Sequence, residues 1–100
     1  MARNEWPTPS EMIVLGILQS KPRGAYGLEI VAASDDAVKR GSVYVLLGRL
    51  AEKGFVRAIR SEVSPGYDGP PRPKYQLTAE GARVMSAAES IGIGLSGMRA

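Results

Sequence analysis

The most regular stretch of the chain lies between Ser42 and Gly54. Val43, Leu46, Leu47 and Leu50 recur at i, i+3, i+4 and i+7, one inward stripe of a helix that starts near Ser42. Ser42, Val45, Arg49 and Glu52 face elsewhere, and Gly54 ends the helix as a C-cap. EMIVLGILQS, Glu11 to Ser20, has another texture. Met12, Ile13, Val14, Leu15, Ile17 and Leu18 leave almost no polar face, so this helix is buried on more than one side. In so short a chain the second side is expected to meet a partner subunit. Ser10 stands at its N-cap and Glu11 in its first turn, where the helix dipole favours an anion. Pro7 and Pro9 bar an ordinary helix before it, so residues 1–9 read as an arm. KPRG, Lys21 to Gly24, is a loop by its proline and glycine. GLEIVAAS is short-helix material, and SDDAVKRG, Ser34 to Gly41, is a polar turn region.

The period then changes. FVRAIRSEV, Phe55 to Val63, alternates loosely and is rich in β-branched residues, which predicts a strand. SPGYDGPPRP is a turn-rich tip, and KYQLT, Lys74 to Thr78, a second strand with Tyr75 and Leu77 on one face. Thr78 caps a last helix, AEGARVMSAAES, with Val84, Met85 and Ala88 on one face, before Gly92, Gly94 and Gly97 break it. The order predicts a mostly α chain with a small β-hairpin. That is a winged helix-turn-helix: three helices, a two-stranded wing and a C-terminal helix. The winged-helix domain is expected over residues 10–78. Residues 79–100 would form a C-terminal dimerisation helix and a short Gly-rich tail.

Composition narrows the function. One hundred residues make one small domain, and 44% apolar content suffices for a core. Cysteine and histidine are absent, which removes disulfides, thiolate metal sites and the commonest general base. No apolar run reaches the ~18 residues that a membrane span needs. The chain is therefore expected to be soluble and cytoplasmic, with no membrane partner and no cofactor. Its ten carboxylates pair at no spacing that suggests catalysis, and a Gly-rich phosphate loop is missing, so an enzyme is not expected. Charge is unevenly spread. Lys39, Arg40, Arg49, Lys53, Arg57, Arg60, Arg72 and Lys74 face only Glu52, Glu62 and Asp68 within their segment. Net charge is only +3, so this basic region stands out and points to an anionic partner, double-stranded DNA.

Four stretches carry a family likeness. They are LGIL (Leu15–Leu18), GAYGLEI (Gly24–Ile30), GSVYVLLGRLAEKGFV (Gly41–Val56) and GPPRPKYQLTAEG (Gly69–Gly81). In this order and spacing they resemble the PadR-type transcriptional regulators, over roughly residues 10 to 85. The resemblance implies a dimeric DNA-binding repressor whose last helix pairs subunits and which a small-molecule effector releases from its operator. The chain departs from the family pattern in two places. Val45 stands where the family usually has proline after the tyrosine, and the last helix is short and ends in glycines.

The expected DNA-binding residues are Tyr26, Lys39, Arg40, Ser42, Tyr44, Val45, Arg49, Arg72 and Lys74. Tyr44 lies beside the apolar stripe; it either reaches a phosphate with its hydroxyl or fills a core boundary, and Tyr26 carries the same two readings. Arg49 either pairs with guanine O6 and N7 or is a solvated arginine. Gly48 weakens the helix interior by about 1 kcal/mol relative to alanine. It allows either close packing on the first helix or close approach to DNA. Arg72 and Lys74 clamp phosphate or serve as loop charges. Pro70, Pro71 and Pro73 also match a PxxP peptide ligand, a common chance motif. The expected dimer contacts are Ile13, Ile17, Val84, Met85 and Ala88, with Trp6 capping a core edge or a dimer seam. The competing reading is a winged-helix module for protein contacts, or a sequence-blind DNA binder.

Overall fold

Thr8 opens the first helix. In the computed structural model, which describes residues 6–59 and 73–90, α1 spans Pro9–Gln19. The Thr8 hydroxyl accepts from the Glu11 N–H at 3.2 Å. The Glu11 carboxylate accepts from the Thr8 N–H at 3.0 Å in return. This reciprocal pair is a capping box. The sequence pattern places the cap at Ser10; the structure moves it to Thr8. Pro9 fits at the first helical position because its missing N–H would be unpaired there anyway.

Seven elements follow in order: α1, β1 (Ala25–Tyr26), α2 (Gly27–Ala33), α3 (Arg40–Glu52), β2 (Val56–Ile59), β3 (Lys74–Leu77) and α4 (Ala79–Ser90). The fold is the expected winged helix-turn-helix, with one addition. The sheet has three strands in the order β1-β3-β2, all antiparallel. β1 is too short to leave a period-2 signal. Gly24 delivers the chain into it with φ +94°, and a Cβ there would meet the Tyr75 carbonyl oxygen at 3.1 Å. α3 starts at Arg40, two residues before the expected Ser42, with Lys39 as its N-cap. Gly54 follows its end at φ +85°, the left-handed stop the sequence indicates. The expected strand from Phe55 is described as far as Ile59. Its continuation to Val63, the hairpin tip and the Gly-rich tail lie outside the described residues.

The core is one cluster. Leu15 and Leu18 of α1, Ile30 of α2, Val43, Leu47 and Leu50 of α3, Val56 of β2 and Met85 of α4 all meet in it. Three polar or close contacts pin the C-terminal end of α3 to this frame. Lys53 Nζ lies 2.6 Å from Glu11 Oε1, and both side chains are largely buried. The Thr78 hydroxyl donates to the Gly54 carbonyl at 2.7 Å and accepts from the Gly81 N–H at 3.0 Å, so it caps α4 as expected and ties it to the turn after α3. Gly81 lies flush on the chain: a Cβ there would collide with the Phe55 carbonyl oxygen.

Candidate nucleic-acid interface

With Val43, Leu46, Leu47 and Leu50 buried, the opposite side of α3 is fixed. At about 100° per residue, Gly41, Val45, Gly48 and Glu52 form its outward line. All four are exposed. A Cβ added at Gly41 or at Gly48 would meet nothing within 4 Å. Gly48 therefore does not serve packing on α1, the first of its two expected roles. Ser42 and Arg49 flank the line on one side and Tyr44 on the other, each of them exposed.

Tyr44 is 52% exposed yet positioned. Its ring and hydroxyl lie over Gly27, the first residue of α2, so closely that a Cβ at Gly27 would come within 2.6 Å of both. The two helices of the helix-turn-helix thus meet through a tyrosine laid on a glycine. Tyr26 precedes that glycine, and its N–H donates to the Glu29 carboxylate at 2.8 Å. The Lys74 ammonium lies 5.4 Å from the centre of the Tyr26 ring, a cation–π distance. Tyr26 and Lys74 are also register partners between β1 and β3. The sheet thus sets Lys74 beside Tyr26 and α3 lays Tyr44 on Gly27, so that three residues separated in sequence meet at the start of α2. Arg72 lies outside the described residues.

The helix N-termini differ. α1 and α2 each carry a glutamate in the first turn whose carboxylate accepts a backbone N–H. α3 has no acid in its first turn and no side-chain cap. It is led instead by Lys39 and Arg40, both exposed. Cations oppose the helix dipole at that end. An anion drawn there would be held by both the cations and the free N–H groups.

The expected dimer residues divide into two sets. Ile13, Ile17 and Val84 are half-buried along α1 and α4, packed on the edge of the core. Met85 and Ala88 are 3% and 1% exposed, buried by their own chain. Trp6 is 46% exposed beside a buried Pro7.

Sequence reasoning passed over three features. The Glu11–Lys53 pair was invisible because the partners lie 42 positions apart. Arg57 donates twice to the Gln76 side-chain oxygen, at 3.2 and 2.8 Å, and the Gln76 amide donates to the Pro22 carbonyl at 2.9 Å. This chain of bonds locks the stem of the wing to the loop before β1. Strand alternation from the Tyr75 and Leu77 face would have put Gln76 on the other face. Leu28, in the first turn of α2, is 45% exposed.

The chain compares closely with known regulators. A PadR-like transcription factor from Bacteroides fragilis is 27% identical, with a TM-score of 0.68 over 81% of this chain and 77% of that one. A PadR family regulator from a hypervirulent Clostridium difficile is 24% identical, with a TM-score of 0.69 over 84% of this chain and 86% of that one. The S. aureus MepR–DNA complex shares the fold at 22% identity and a TM-score of 0.69, over 84% of this chain and 63% of that one. No curated protein matches by sequence. The model of the transcriptional regulator PadR-like family matches residues 14–87, from the middle of α1 almost to the end of α4. With most of its length matched and the winged helix-turn-helix in place, this chain belongs to the PadR-like family of transcriptional regulators.

Proposed function

We propose that the chain is a sequence-specific DNA-binding repressor that binds an inverted repeat as a homodimer, through α3 and the wing. The carrying observation is α3 itself. Its outward line is bare of long side chains over its first turns, and its N-terminus is open and led by Lys39 and Arg40. Such a helix fits a major groove with its N-terminal residues towards the bases. Lys39, Arg40 and the Tyr44 hydroxyl would meet phosphates, which set register and orientation. Arg49 would pair with guanine, worth about 1–3 kcal/mol of discrimination. Lys74 and Tyr26 would brace the wing beside the backbone. The DNA complex of the MepR neighbour supports this use of the fold.

Dimerisation draws support from the half-buried apolar residues of α1 and α4, Met12, Ile13, Ile17 and Val84. Two α3 helices would then sit about 10 base pairs apart. An effector draws support from the PcaV neighbour of Streptomyces coelicolor, whose structure holds its natural ligand. The exposed Leu28, Tyr44 and Val45 favour a second reading, a protein-contact module.

Selection from a randomised duplex pool, followed by fluorescence anisotropy at two salt concentrations, separates the two. Enrichment of a palindrome bound by two chains, with a steep salt dependence, supports the repressor. Salt-sensitive binding that enriches nothing points to the protein-contact module or a sequence-blind binder.

A further inference from the structure

The outward line of α3 is costly to the helix that carries it. Glycine at Gly48 weakens a helix interior by about 1 kcal/mol, and a β-branched residue such as Val45 is also poorer than alanine. Packing returns nothing for the glycines, since beyond the neighbouring residues and the helix's own backbone nothing lies within 4 Å of a Cβ built at Gly41 or Gly48. Val45 is 54% exposed, the most exposed of the large apolar residues among those described. It stands between the two glycines, four residues after one and three before the other, so neither neighbour on the line overshadows it; Glu52, the other member, lies two turns further on. Tyr44, beside it, is occupied over Gly27. Over the two turns from Gly41 to Gly48, the first group to reach a groove floor is therefore the isopropyl group of Val45, which neither donates nor accepts a hydrogen bond.

We infer that Val45 reads the C5-methyl group of a pyrimidine in the major groove. The inference rests on the DNA-binding reading above. Thymine presents that methyl beside its O4 acceptor, and an apolar side chain meets it favourably. 5-Methylcytosine presents the same group. Gly41 and Gly48 let the helix come close enough for van der Waals contact, which a longer line would hold off.

The test uses the full chain and the duplex enriched by selection. Each thymine is replaced singly by deoxyuridine, which removes only the methyl. The affinity of the wild type, Val45→Ala and Val45→Thr is then measured by anisotropy. At one position deoxyuridine should weaken the wild type by roughly fourfold per half-site, the worth of one buried methyl. Val45→Ala should bind the two duplexes alike, while its urea transition stays at least as high as that of the wild type. Val45→Thr, of similar shape, should keep part of the difference. Cytosine and 5-methylcytosine at the same position then separate the sources. A methyl effect at both bases assigns the site to the methyl group itself, and an effect at thymine alone assigns it to thymine. An enriched operator with no methyl-sensitive position overturns the inference, as does a sensitivity unchanged in Val45→Ala. If no duplex is enriched, DNA reading by this chain fails at the first step, before any deoxyuridine is made.

Discussion

Gly27 and Gly48 are both glycines of the helix-turn-helix, and they ask for opposite treatment. Gly48 faces open space, so Gly48→Ala should raise stability by about 1 kcal/mol in urea denaturation. It should at the same time weaken operator binding, because the new methyl stands on the line that approaches DNA. A gain in both would remove Gly48 from the interface. Gly27 is filled by Tyr44. In Gly27→Ala the tip of a flexible ring can swing aside, so the fold should survive at a cost near or below about 1 kcal/mol. Binding should fall as far as it does in Tyr44→Ala. The double variant should bind no worse than either single one, since both displace the same ring. Independent losses would mean that the tyrosine and the glycine act apart.

Elements are held by fewer groups than their length suggests. Lys53→Ala strips the buried Glu11 carboxylate of its counter-charge and should cost about 3 kcal/mol in urea unfolding. Replacing both by apolar residues, Glu11→Met with Lys53→Met, should recover most of that. An equal loss in the double variant would show that the capping box at Thr8, not the ion pair, is what Glu11 supplies. The long elements could be read in the sequence because each carries its own signal. α3 has its stripe, α1 its continuous apolar run, and α4 its Thr78 cap. β1 has two residues and exists only because β3 passes beside it. The Glu11–Lys53 pair needs two helices folded together before it means anything. The same limit governs the site. Val45 and Arg49 were legible as the outward side of one helix, and Lys39 and Arg40 as cations of the polar turn before it. The seat of Tyr44 on Gly27, and of Lys74 over Tyr26, comes from packing between elements.

At the scale of the whole molecule the issue is charge. The basic segment from Lys39 to Lys74 lies within a chain of net charge only +3. Long-range attraction should therefore be modest, and affinity should come from placed contacts. In the double variant Lys39→Gln, Arg40→Gln, the plot of log affinity against log salt should flatten by about 2 for each bound chain. Operator preference should be kept, since phosphate contacts position and base contacts specify. A lost preference with an unchanged slope would place these cations on bases instead.

The bonds around Lys53, Thr78 and Gly81 also have a mechanical meaning. Directional contacts clamp α3 at its C-terminal end, to Glu11 and through the Gly54 turn to α4. Its N-terminal half is held by apolar side chains and one tyrosine ring, contacts that tolerate sliding. The helix is a cantilever about 20 Å long, rooted at the end remote from Lys39 and Arg40. A tilt of about 10° at the root carries the free tip through roughly 3 Å, enough to part a side chain from a phosphate. Thr78 joins the root to the first turn of α4, so the position of α4 and the aim of that tip are tied through one hydroxyl.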